Sequence, residues 1–123
     1  MAGKSQLFFT DNFTANLDGI RSFLAVEGRL VFQRLLNRLF DDICPQVSQF
    51  PLSGRSFLGH PAGSNESQKL FDRVREKLRA GDELREFVVD DYVILYLVRR
   101  KRIYFIAIKH YRQLSFDLRR FWS

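Results

Sequence analysis

The apolar positions of this chain change period once. Between residues 11 and 79 they recur every three or four residues, and from Leu84 onward they run almost without a break. A short apolar piece, SQLFFT at 5–10, suits a first strand. Thr10 or Asp11 then caps a helix. Phe13, Leu17, Ile20 and Leu24 follow at spacings of four, three and four, which places them on one helical face. Gly28 ends that helix or opens a tight turn. A second helix starts near Arg29, with Phe32, Leu36, Leu39, Phe40 and Ile43 as its apolar stripe and Arg34 and Arg38 on other faces. Pro45 has no backbone N–H, so it is expected to end or kink this helix. Two helices joined so closely pack antiparallel, as a helical hairpin.

Residues 50–64, FPLSGRSFLGHPAGS, read as an ordered loop punctuated by Pro51, Pro61, Gly54, Gly59 and Gly63. Asn65 with Gln68 three residues on has the pattern of a capping box. Leu70, Phe71, Val74 and Leu78 supply the apolar face of a third helix over 65–79, and Gly81 suits the position just past its end. The period then becomes that of a sheet. LREFVV, YVILYLV and RIYFIAIK are rich in Val, Ile, Tyr and Phe and hold no Gly or Pro, as three successive antiparallel strands would. The middle one is apolar on both faces, so it is expected to lie centrally with both faces covered. The RRKR connection that follows has no Asn-Gly or Asp-Gly and does not read as a tight primed turn. The closing LSFDLRRFWS fits a strand, a short helix or a tail equally.

These elements define an α+β fold: an N-terminal strand and an antiparallel helical hairpin packed on a mostly antiparallel sheet, with an extra helix before a C-terminal meander. The expected organisation is one domain over 1–123, with 65–79 as an inserted helix and 114–123 as a C-terminal extension. A length of 123 residues, 46% apolar and with 13 Phe, suffices for one real core. The only cysteine, Cys44, has no partner for an internal disulfide, which fits a reducing compartment such as the cytoplasm. The apolar piece near the N-terminus is too short for a signal peptide, and no window reaches the ~18 apolar residues that a membrane span needs.

Charge changes the picture. The net charge is +6, but residues 1–84 hold eleven basic and ten acidic groups, a net of +1, whereas 85–123 hold nine and four, a net of +5. A basic surface of this kind attracts nucleic acid, an acidic protein segment or an anionic membrane, or serves only solubility. The residues offer no metal site, because His60 and His110 lie on different elements without ligand spacing, and no Gly-rich phosphate loop. Asp41-Asp42 and Asp90-Asp91 are adjacent pairs whose side chains diverge, as at a solvated helix end and in a turn. One constellation has catalytic potential. On a strand, Ile108, His110 and Arg112 share a face and Lys109 and Tyr111 the other. Such groups can act as base, phosphate cation and acid in metal-free RNA cleavage, or can simply be cations at a strand end.

The order of elements and several short motifs resemble the RelE/ParE superfamily of bacterial toxins from type II toxin–antitoxin modules. The motifs are F-P-x-S-G-R (Phe50, Pro51, Ser53, Gly54, Arg55), L-R-E (Leu84, Arg85, Glu86), Asp91-Tyr92-Val93-Ile94-Leu95-Tyr96, Ile103 to Ile108 and His110-Tyr111-Arg112-Gln113. The resemblance covers about residues 5–113 and implies a cytoplasmic toxin neutralised by an acidic antitoxin that folds on it. Within the superfamily, RelE-type toxins cut messenger RNA on the ribosome and ParE-type toxins are implicated in poisoning DNA gyrase. The RelE-type pattern has an arginine where Val93 stands and an aromatic hydroxyl in the tail, where this chain has Phe116, Phe121 and Trp122 but no tyrosine. Together with the G-R loop, L-R-E and H-Y-R-Q, this implies the ParE-type branch.

The expected function is therefore a non-catalytic gyrase inhibitor, without cofactor or metal and touching nucleic acid only indirectly. The alternatives are a ribosome-dependent endoribonuclease using Arg85, His110, Arg112, Lys109 and Tyr111, and a basic interaction domain without toxicity. The contact candidates for target or antitoxin are Arg55, Arg85, Arg99, Arg100, Lys101, Arg102, Arg112, Phe121 and Trp122. Structural roles compete: a cross-strand salt bridge for Arg85, loop carbonyls for Arg55, and core or groove wall for Tyr92 and Tyr96.

Overall fold

In the computed structural model, residues 4–24, 28–57, 65–113 and 116–120 are described, with the side chains at 65–68, 70 and 71 excepted. His60, Phe121, Trp122 and the side chains of the expected Asn65–Gln68 capping box lie outside the described residues. The elements run β1 (Gln6–Phe9), α1 (Asp11–Leu24), α2 (Arg29–Arg38), a π-helical turn (Leu39–Ile43), α3 (Cys44–Gln49), β2 (Arg55–Ser56), α4 (Asn65–Lys77), β3 (Glu83–Val89), β4 (Tyr92–Arg99) and β5 (Arg102–His110). The fold is α+β, as the pattern of periods implied. One five-stranded sheet has the order β1-β5-β4-β3-β2, with β1 parallel to β5 and every other pair antiparallel.

Thr10 is the residue that starts α1: its Oγ1 accepts the Phe13 N–H at 3.2 Å. The turn into α2 needs Gly28, because a Cβ there would sit 2.4 Å from Leu24 Cβ. Pro45 does not end the second helix. The backbone widens into a π-turn just ahead of it, with Cys44 N–H reaching back to Leu39 C=O, and continues as α3 with Pro45 in its first turn. The extra residue shifts the buried stripe to a four-residue spacing: Leu35, Leu39, Ile43 and Val47. Phe32 and Leu36 are only half-buried, and Phe40 is 51% exposed. This corrects the stripe expected from ideal helical period.

The sheet has two covered faces. On one, Tyr92, Ile94, Tyr96 and Val98 of β4 meet Ile103, Phe105 and Ile108 of β5 under the helices, through Phe13, Leu35, Leu39, Ile43 and Val47. On the other, Val93, Leu95, Leu97, Ile106 and Ala107 pack beneath Val74 of α4, Phe57, Phe116 and Leu118. A bulge opposite Leu95 and Tyr96 puts both Ile106 and Ala107 on this second face and returns Ile108 to the first. Strand β4 is buried from Tyr92 to Val98, which confirms its central place. The chain's own α4 and tail cover much of the second face.

The tail is fastened through α1. Asn12, almost fully buried, donates from Nδ2 to Ile106 C=O at 2.9 Å and Asp117 C=O at 2.8 Å and accepts the Arg120 N–H at 3.0 Å. Among the described residues 116–120 have neither strand nor helix. The RRKR connection is tighter than its residue types suggested: β4 and β5 are joined by Arg100 and Lys101 alone, with Arg100 at φ 57°. Two long apolar strands in fixed register impose that turn and hold Arg100 in the left-handed region, at roughly 1 kcal/mol. Asp90, at φ 52°, does the same between β3 and β4.

Candidate functional site

The G-R loop is held by the core beneath it. The Tyr96 hydroxyl, at the end of a fully buried side chain, accepts the Gly54 N–H at 2.9 Å and donates to Pro51 C=O at 2.9 Å. Burial raises the Tyr96 pKa against the opposing effects of its Gly54 and Ser53 hydrogen bonds and the Arg85 charge, so the hydroxyl stays a neutral donor. Arg85 Nη1 donates to Gly54 C=O at 3.0 Å, while its Nη2 lies 3.6 Å from Glu83. No side chain is tolerated at Gly54, since a Cβ would meet Glu86 C=O at 2.5 Å and the Tyr96 hydroxyl at 2.6 Å. Close approach of the loop to β3 therefore requires this glycine, and it lets Arg55 and Ser56 add β2 to the sheet opposite Glu86 and Arg85.

Arg55 stands out from this loop. Its side chain is 57% exposed, with Nε 3.5 Å from the carboxylate of Glu86, which is 10% exposed. Lys109 belongs to the same electrostatic group. Burial lowers its pKa, the Glu86 charge raises it and the Arg55 charge lowers it further. Its Nζ donates to Gln113 C=O at 2.8 Å and lies 5.4 Å over the Phe116 ring. Exposed Phe50, Leu52 and Val88 flank this edge of the sheet.

His110 and Lys109 part company. Lys109 pairs with Val93 in register and follows it to the second face, whereas His110 pairs with Tyr92 and stacks edge-on against its ring, 5.5 Å between centroids. The strand ends at His110. Arg112 therefore does not continue its face: its N–H donates to His110 Nδ1 at 3.2 Å and its guanidinium turns to the Tyr111 hydroxyl at 3.0 Å. Arg85 is opposite Tyr96, four residues along the strand from the Tyr92–His110 pair, which is roughly 13 Å. The sheet thus brings Arg55, Glu86 and Lys109 together, sets His110, Tyr111 and Arg112 at the end of β5, and leaves Arg85 with the loop.

The four cations of the β4–β5 connection also divide. Arg99 grips Asp82 in a bidentate pair, Nε to Oδ1 at 3.0 Å and Nη2 to Oδ2 at 2.7 Å, and the Asp82 side chain is only 2% exposed. The Arg99 hydrogen bond holds the Asp82 carboxyl below its ordinary pKa. Arg100, Lys101 and Arg102 are exposed and form no ion pair among the described residues. Glu86 was not expected at the site, although its place in L-R-E, next to Arg85 and just before the apolar run Phe87–Val89, was the signal for it. The described residues contain no cluster of His, Cys, Asp and Glu fit for a metal ion, and no helix among them is long and apolar enough to cross a membrane.

Comparison with known families agrees with this architecture. A family model described as the ParE toxin of the type II toxin–antitoxin system, parDE, matches residues 7–114, from β1 to just past the end of β5. No curated protein matches the chain.

Proposed function

The chain belongs to the ParE toxin family of type II toxin–antitoxin systems, and from that premise we propose that it acts as a non-catalytic inhibitor of DNA gyrase, held silent by a cognate acidic antitoxin. The observation that carries the non-catalytic reading is the division of the cations. Metal-free RNA cleavage needs base, phosphate cation and acid around one phosphate, within hydrogen-bond reach. Here Lys109 and His110 take opposite faces of β5, and Arg85 is occupied by Gly54 C=O and Glu83. The position after Tyr92 is Val93, which is buried and has no charge to offer.

The antitoxin reading rests on complementarity. Phe50, Leu52 and Val88 present apolar surface beside Arg55, and among the described residues β3 has no strand partner on its outer side beyond Glu86. An acidic amphipathic segment that folds on this edge buries those side chains and supplies counter-charge to Arg55 and Lys109. The test of the target is a supercoiling assay. The purified toxin, freed of antitoxin, is titrated into gyrase, plasmid and ATP, and covalent complexes are trapped with denaturant. Dose-dependent loss of supercoiling with accumulation of linear plasmid is the expected result. A preparation that arrests growth when expressed but leaves gyrase untouched refutes the target. Cleavage of ribosome-bound messenger RNA abolished by His110→Ala or Arg112→Ala in such a preparation replaces it.

A further inference from the structure

The tip of the β4–β5 hairpin carries a second, separate surface. On the second face of the sheet, register places Arg99 opposite Arg102, and Arg102 beside Gln6 of β1. The next row on the same face holds Leu97, Tyr104 and Phe8. Tyr104 and Phe8 stack at 5.2 Å between centroids with 19° between planes. Phe8 sits on the outermost strand, 40% exposed, and Tyr104 is half-buried within Coulombic reach of Arg99. Asp82 neutralises Arg99 and leaves Arg100, Lys101 and Arg102 as exposed charges around a stacked aromatic pair. The turn holds them in place, since Arg100 keeps its left-handed backbone only because Arg99 and Arg102 are locked in register.

We infer that this hairpin tip binds single-stranded nucleic acid: Arg100, Lys101 and Arg102 hold the phosphates while a base stacks on Phe8 and Tyr104. Cations that follow a backbone next to an aromatic platform are the two elements of sequence-tolerant single-strand recognition. An acidic protein segment would satisfy the charges but gains nothing specific from ring faces, and a duplex offers no unstacked base to them. The surface lies at the opposite end of β5 from His110 and Arg112 and does not depend on the gyrase reading.

The test is fluorescence anisotropy of a labelled 15-nucleotide mixed-sequence single strand, as DNA and as RNA, titrated with the full chain between 50 and 200 mM salt. Three phosphate contacts give a slope of log K against log salt near −2, so affinity should fall about 20-fold across that range. Combined R100A/K101A/R102A should flatten the slope to near zero. Tyr104→Ala should weaken binding by about 5- to 100-fold while leaving the slope unchanged, as loss of stacking predicts. Because Tyr104 also packs on the core, Phe8→Leu serves as a second variant at an exposed position and should weaken binding in the same sense. Arg34→Ala, an exposed cation on α2, should change nothing. The proposal is overturned if no binding is seen at 50 mM salt, or if the triple variant binds as the parent does. It is equally overturned if Phe8→Leu and Tyr104→Ala are both without effect, if duplex binds as tightly as single strand, or if polyglutamate competes as well as the oligonucleotide.

Discussion

Replacing Tyr96 by Phe removes one oxygen from the interior and leaves the ring, so its cost can be worked out from the two hydrogen bonds it makes. The hydroxyl accepts the Gly54 N–H and donates to Pro51 C=O, both at 2.9 Å. Gly54 is buried, so its orphaned N–H cannot recover the bond from water without opening the loop. An unsatisfied buried backbone group costs about 1–3 kcal/mol. Pro51 is half-buried, so its carbonyl can partly rehydrate and contributes toward the lower end. The expected total is about 2–3 kcal/mol, which for a chain of this size corresponds to a fall in Tm of roughly 6–12 °C. Urea unfolding should show the midpoint shifted at unchanged slope, and hydrogen exchange should show selective loss of protection at Gly54. Because the same loop holds Arg55 against Glu86, antitoxin affinity should fall beyond what the stability loss predicts. A change below about 0.5 kcal/mol with the Gly54 amide still protected would refute the claim that Tyr96 pins the G-R loop.

Three further expectations follow from other contacts. Asp82→Asn replaces a bidentate, nearly buried ion pair by a neutral one and should cost about 1.5–3 kcal/mol. Because the folded pKa of Asp82 is depressed, the wild-type contribution is complete above the unfolded value near 4 and is lost as pH falls through the folded one. The difference between wild type and variant in acid unfolding should therefore vanish at the lowest pH. Asn12→Ala removes both of its backbone hydrogen bonds to the tail, at Asp117 and Arg120, along with the one to Ile106 of β5, and limited trypsin digestion should then cut at Arg119 or Arg120 well before the sheet unfolds. Burial pushes the Cys44 thiol up to about 11, so native protein at pH 8 should react with iodoacetamide only as fast as it opens, whereas protein in guanidinium should react at once.

The site was only partly visible in the order of residues. Phe50, Gly54 and Arg55 stood out because proline, glycine and an isolated cation between apolar runs mark an ordered loop, but which groups answer them depends on the register of β3 and β4. Glu86 was hidden by that dependence. It becomes a buried partner for Arg55 only when a two-residue strand pairs with β3. Likewise, alternation along β5 correctly separated Lys109 from His110, because both lie beyond the bulge and pairs with Val93 and Tyr92 set their faces. It failed at Arg112, where the strand has already ended and local bonds to His110 and Tyr111 decide the direction.

Period alone was enough to settle the layers of this protein: three- and four-residue spacing up to Leu78, a sheet afterwards, and a central strand at Tyr92 to Val98. These follow from local geometry, since an apolar residue must face a core on whichever element it occupies. Other features belong to tertiary structure. The π-turn before Pro45 arises because Leu35, Leu39, Ile43 and Val47 must all reach the same sheet face across a position with no N–H. The tight RRKR turn arises because strand register outweighs about 1 kcal/mol of local preference at Arg100. The second core closes because Asn12 fastens a tail more than a hundred residues away, a contact of which no local pattern carries a trace.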